Sequence, residues 1–231
     1  MKRSTLSSLF GGMAHMTISA QCLLALACLV CLSSMAGAQV LTFEGLQNLE
    51  PIDNYYNGGF GGDGSGPGPN YGITFGSDSL AVIDAADGGT GNFSNAPSGD
   101  SIAFFLNGTG DVMDVAAGFD TGFSFYYSAA QPGSVAVYSG LDGTGTLLSS
   151  LSLGQTADPY NVWVPVGVLF SGTAQSVVFS GSANFIGFDN ITLGSATAGS
   201  GVVPEPASLG AWSLLALCGT AYGVRRRRKC A

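Results

Sequence analysis

The stretch Thr121-Gly-Phe-Ser-Phe-Tyr-Tyr127 sets Phe123, Phe125 and Tyr127 at alternate positions, with Gly122, Ser124 and Tyr126 between them. A repeat of two puts the first set on one face of an extended strand, whereas a helix would scatter them. The same texture continues in both directions, as short apolar, β-branched or aromatic runs broken by Gly, Asn, Asp, Ser and Pro, with no sustained helical repeat. It predicts strands over Val40–Phe43, Ile73–Phe75, Leu80–Ile83, Ile102–Leu106, Val112–Val115, Thr121–Tyr127, Val135–Tyr138, Leu147–Leu153, Val162–Phe170, Ser176–Phe179 and Phe185–Leu193. Asn107-Gly108-Thr109-Gly110, Pro132-Gly133 and Asp142-Gly143 suit tight antiparallel turns. So many short strands predict an all-β domain over 39–193, a two-sheet β-sandwich of jelly-roll type.

The charges divide the chain sharply. Its seven basic residues are all terminal: Lys2 and Arg3 at one end, Arg225, Arg226, Arg227, Arg228 and Lys229 at the other. Between Gln39 and Val203 lie fourteen acidic side chains and no Lys, Arg, His or Cys, a formal charge of −14. With the five cysteines confined to the ends, no disulfide framework supports this domain, which leaves a buried core and a bound metal ion as its sources of stability. The missing residue types exclude Ser-His-Asp and Cys-His catalysis, Schiff-base lysines, the usual zinc sites and arginine clamps for phosphate. A surface this negative also repels nucleic acid. Carboxylate-pair chemistry is the enzymatic option left, and the expectation is a protein that is not an enzyme.

The ends read as addresses. Lys2 and Arg3, the apolar run Cys22–Leu32 and the small-x-small site Ala36-Gly37-Ala38 predict a secretory signal peptide over 1–38, with the mature chain starting at Gln39. At the other end a linker, 194–202, leads to Val203-Pro204-Glu205-Pro206, then to the uncharged stretch 207–224, then to the basic run 225–229. Eighteen residues at ~1.5 Å each give a helix of about 27 Å, near the lower limit for crossing a bilayer. The basic run holds the C-terminus in the cytoplasm and leaves the main domain outside. Val203 and Glu205 each precede a proline, so the tetrapeptide is extended.

That order of parts, over 203–231, closely resembles the PEP-CTERM sorting signal, also catalogued as an ice-binding-protein C-terminal domain. The resemblance implies recognition of Val203, Pro204, Glu205 and Pro206 by a membrane-embedded exosortase, and export to the bacterial envelope or biofilm matrix. LTFEGL, GSGPGPNYGITF, GGTGNFSNAPSGD and AAGFDTGFSFYYS also resemble the bodies of uncharacterised members of that family, which implies no activity.

Two loops, 58–72 and 84–101, are too long for hairpin turns and are therefore either functional or flexible. Tyr55, Tyr56, Tyr71, Tyr160 and Trp163 are candidate platforms for sugar rings, whose apolar faces stack on aromatic side chains. Calcium is the best-motivated ion for an acidic exported domain, since hard cations take carboxylate and carbonyl oxygens. LTFEG (41–45) and FDNITL (188–193) resemble the first and last strands of jelly-roll carbohydrate-binding modules, which implies a structural calcium shared by Glu44 and Asp189. Asp84-x-x-Asp87-Gly-Gly is a partial calcium loop. The expected function is an exported matrix protein that binds exopolysaccharide. Two alternatives are a purely structural or ice-interacting surface protein and a carboxylate-pair glycan-active enzyme.

Overall fold

The computed structural model describes residues 38–201. The segment before Ala38, the sorting motif from Val203, the stretch 207–224 and the basic run lie outside the described residues. Among the described residues no helix is long and apolar enough to cross a membrane.

Twelve strands form two antiparallel sheets. They are β1 Gln39–Leu41, β2 Glu50–Pro51, β3 Ile73–Phe75, β4 Ser79–Ile83, β5 Ser101–Phe105, β6 Gly110–Phe119, β7 Gly122–Ala129, β8 Gly133–Tyr138, β9 Leu147–Leu153, β10 Val164–Leu169, β11 Ala174–Gly181 and β12 Ile186–Leu193. One sheet runs β10-β7-β12-β5-β4-β2 with β1 also on β12; the other runs β3-β6-β11-β8-β9. The two pack face to face as a β-sandwich, and all eleven expected strands are present. The twelfth, β2, is a two-residue edge strand ending in a proline, which leaves no sequence pattern to detect.

The alternation in β7 does what its spacing demands. Phe123, Phe125 and Tyr127 point into the core, where Phe179 of β11 meets Phe123 and Phe125, with ring centroids 6.2 Å apart in each case, and Phe188 of β12 at 4.8 Å. These edge-to-face contacts join the two sheets, each contributing about 0.5–1.5 kcal/mol beyond the area it buries.

Expected and observed boundaries differ where a side chain intervenes. β1 stops at Leu41 because Phe43 takes a left-handed backbone, φ 63°, and its N–H donates to the Tyr56 hydroxyl oxygen at 2.6 Å. β10 starts at Val164 because the Val162 N–H turns back to the Asp158 carbonyl at 2.9 Å. β6 continues through Ala116, Ala117 and Gly118, which carry no β-branched signal.

The glycine-rich loop 58–72 is held in place. Glu50, with no exposed surface, accepts hydrogen bonds from the backbone N–H of Gln47 at 2.6 Å, Asp63 at 3.0 Å and Ser65 at 2.9 Å. Gly61 runs so close to that carboxylate that a Cβ there would press against it. The segment 194–201, expected as a linker, is also folded. Ser195 accepts through its carbonyl from the Ser124 hydroxyl at 2.8 Å, and the Gly194 N–H donates to the Gly122 carbonyl at 2.9 Å. A Cβ on Gly167 would collide with the Ala196 carbonyl oxygen. This strap therefore crosses the outer face of β7 and β10, the face opposite Phe123 and Phe125.

Replacing Glu50 by Ala strands three N–H donors that now meet one charge. Charge-assisted hydrogen bonds of this kind are worth about 1.5–3 kcal/mol each, so Glu50→Ala is expected to lose at least about 3 kcal/mol in chemical denaturation. A loss below about 1 kcal/mol, with unchanged hydrogen exchange at Asp63 and Ser65, would show that the loop holds itself.

Candidate functional site

Glu44 and Asp189 meet at a gap in the larger sheet. β12 pairs with β7 along one edge; along the other it pairs first with β5 through Gly187 and Phe188, then with β1 from Ile191 onward. Asp189 and Asn190 fall between. The register shifts there and Asn190 adopts φ 48°, a bulge that moves the core-facing residues from Ile186 and Phe188 to Ile191 and Leu193.

The 98–101 backbone closes this gap with donors. Asp189, wholly buried, accepts from the Ser98 N–H at 2.8 Å, the Ser98 hydroxyl at 2.8 Å and the Asn190 N–H at 2.6 Å. Glu44 accepts from the N–H groups of Asp100 at 3.1 Å and Ser101 at 2.9 Å. Burial pushes the Asp189 carboxyl up; Ser98 and Asn190 oppose this and Glu44 adds to it, and the result is about 7. The structure thus brings the two expected residues together, with Asp189 desolvated beside a second carboxylate and no cation in the domain to pair with it. Two carboxylates and the Ser98 hydroxyl are hard oxygen donors, and they fit calcium. Among the described residues no three His, Cys, Asp or Glu side chains converge as a metal cluster, so carbonyl or water oxygens would complete such a shell. The partial calcium loop is a single helical turn, Ala85–Asp87, in which the Asp84 carboxylate caps the Ala86 N–H at 3.0 Å. Asp100 and Asp84 push the Asp87 carboxyl up.

The candidate aromatics separate into two groups. Tyr55 and Tyr56, at 9 % and 3 % exposure, are core residues. The Tyr55 hydroxyl donates to the Glu44 carbonyl at 3.0 Å and the Tyr56 oxygen accepts from Phe43, so neither ring is free to stack on a sugar. Burial, the first of the causes, drives the Tyr56 hydroxyl far above its ordinary range. Tyr71, 37 % exposed, stacks on Tyr56 at 6.1 Å.

Tyr160 and Trp163 lie elsewhere, over the outer face of β4 and β5. On these strands Ala81, Ala103 and Phe105 face the main core, while Val82, Ile102 and Phe104 face outward into a second cluster with Phe93. The loop 84–100 covers that cluster and is fastened to the segment before β10. The Ser94 N–H donates to the Tyr160 carbonyl at 2.9 Å, and the Trp163 Nε1–H donates to the Ser94 carbonyl at 3.0 Å. Trp163 meets Phe93 edge-on at 6.1 Å, so it braces the loop.

Between loop and sheet lies an open groove of about 220 Å³. Val82, Ile102 and Phe104 form its floor; Phe93 and Tyr160 wall it; Thr90, Asn92 and Asn184 edge it. No acidic residue lines it. Asn92, Asn184 and Leu106 were not among the expected site residues. The available signal was the all-apolar run Ile102–Leu106: a strand apolar on both faces needs a cover on each.

No family model matches the chain, and no curated protein matches it. Solved structures do. One is a family 6 carbohydrate-binding module studied for its binding sub-sites, at 19 % identity and TM-score 0.36, covering 52 % of this chain and 86 % of that one. Another is a module from Clostridium stercorarium in complex with cellobiose, at 17 % identity and TM-score 0.33, covering 50 % and 92 %. A third is a family 43 glycoside hydrolase from Bacillus subtilis, an arabinoxylan arabinofuranohydrolase, at 19 % identity and TM-score 0.38, covering 53 % of this chain and 26 % of that one. Likeness this distant adds nothing to the sandwich that the strands already define.

Asp189 makes a pH-dependent prediction. Its carboxyl keeps a proton up to about pH 7 in the folded chain and sheds it near 4 when unfolded, so between those values the folded state binds the extra proton. Stability from this group is full below about pH 4 and is lost as pH rises through 7, with a limiting slope of about 1.4 kcal/mol per pH unit. In chelator, thermal denaturation between pH 5 and 8 is expected to show that fall, and Asp189→Asn to flatten it. A profile equally steep in Asp189→Asn would assign it to other groups.

Proposed function

We propose that this chain is an exported protein of the bacterial envelope or biofilm matrix, sorted through Val203-Pro204-Glu205-Pro206 and carrying a jelly-roll-like ectodomain that binds polysaccharide without cleaving it. The observation that carries the binding reading is the groove beside Tyr160. It has an apolar floor, hydroxyl and amide groups at its edge, and no carboxylate. Hydrolysis of a glycan needs two acids flanking the bond, so this groove is a place to hold a sugar and not to cut one.

Calcium has a structural part in this reading, with Glu44 and Asp189 as its carboxylate ligands. The ion would supply positive charge where two carboxylates face each other, and would hold the 98–101 backbone against β12. In phosphatidylcholine nanodiscs the full chain is expected to melt several degrees higher in millimolar calcium at pH 8, and to gain less at pH 5, where Asp189 holds its proton. Equal melting temperatures with and without calcium at pH 8 would remove the metal.

The sorting reading rests on the order of parts in the tail: the Pro-Glu-Pro motif, an uncharged stretch, then five cations. In a host with the sorting system, the variant Pro204→Ala, Glu205→Ala, Pro206→Ala is expected to stay membrane-bound at full length, while the parent is processed. Processing at the same rate in both would sink that reading.

A further inference from the structure

The groove lining contains no Asp, Glu, Lys, Arg or His. Its polar groups are uncharged and stand at the edge: the Thr90 hydroxyl, the Asn92 and Asn184 amides, and the Tyr160 hydroxyl, whose donation to the Asn184 carbonyl is long at 3.4 Å. Asn92 and Asn184 are exposed, and their side-chain amides have no hydrogen-bond partner among the described residues. A ligand with one apolar face and a hydroxyl-bearing edge satisfies both parts, lying over the Tyr160 ring and the floor while its hydroxyls meet the amides.

Other ligand classes fit worse. A hydrocarbon chain leaves the amides without partners. A charged group enters an apolar floor with no counter-charge, and burying an unpaired charge is expensive. An anionic chain is also opposed before contact, because the domain carries −14 and not one cation. Size narrows the choice again: about 220 Å³ lies below the roughly 300–1,000 Å³ of pockets that enclose drug-sized ligands. The open sides let a longer chain run out.

We propose that the groove holds one unit of a neutral polysaccharide, a hexose or N-acylated hexosamine, and discriminates against uronate and sulfated chains. This rests on the polysaccharide-binding reading and adds the site and the charge class of the sugar. Biolayer interferometry on the full chain in phosphatidylcholine nanodiscs tests it, with neutral β-glucan, mannan and N-acetylated chitooligosaccharide set against alginate and polygalacturonate. Neutral chains are expected to bind at least about ten-fold more tightly at low salt, and independently of salt because no ion pair is involved. Tyr160→Ala and Asn184→Asp should each weaken neutral binding about ten-fold. Asn184 is exposed at φ 63°, a backbone that Asp tolerates, so the second variant adds a charge without disturbing the fold.

Anionic chains bound as tightly as neutral ones, or neutral binding untouched by Asn184→Asp, would overturn this inference and leave the polysaccharide reading standing. Failure of every polysaccharide to bind would remove both.

Discussion

Everything in this domain is arranged around carboxylates that have no cation to meet. Between Gln39 and Val203 no Lys, Arg or His exists, so an ion pair between side chains of that stretch is chemically impossible. Each carboxylate drawn inward must be satisfied by N–H or O–H donors, and the donors that a β-sandwich can spare are those of its loops. Glu50 collects three N–H groups and so fixes the loop 58–72. Glu44 takes two and closes 99–101. Asp114 accepts from the Asp142 N–H and Asp84 from the Ala86 N–H. The acids that make the surface negative are also what gives the long loops fixed shapes.

The arrangement succeeds unevenly, and the two most buried acids show why. At Glu50 burial raises the carboxyl, but hydrogen bonds from Ser65, Gln47 and Asp63 outweigh it and leave it below its ordinary value. Asp189 also has three donors, yet ends near 7 because desolvation outweighs them and Glu44 repels it. Electrostatic strain is thus concentrated at one gap in the larger sheet. Below about pH 7 a proton on Asp189 relieves it; above that the relief must come from an ion or from loosening of the gap.

Much of the sandwich was legible because alternation is a local signal. Phe123, Phe125 and Tyr127 name their own face without any knowledge of what they touch. The groove was not legible in the same way, since its floor comes from β4 and β5, its walls from Phe93 and Tyr160, and only folding brings them together. Tyr55 and Tyr56 misled for a physical reason: beside a glycine-rich loop a tyrosine reads as exposed. Both are buried, because each hydroxyl finds a backbone partner, Glu44 for one and Phe43 for the other. Glu44 with Asp189 was reached only through resemblance, as 145 positions separate them and no spacing rule joins them.

The strap changes how the domain relates to its tail. A free linker from Gly194 would let the sandwich wander far from the sorting motif. With Ser195 and Ala196 bound over β7 and β10, the described fold runs to Gly201, and any tether to Val203 starts there and not at Gly194. Pro204 is three positions on from Gly201, so their greatest possible separation is about 10 Å. If the sorting reading proposed above holds, a protease reading Val203–Pro206 would have to work within about one sheet-to-sheet spacing of the folded domain, or first peel the strap away. Gly122 and Gly167 matter to that choice: lacking side chains, they let the strap lie against the sheet, and bulk at either would lengthen the tether by lifting it.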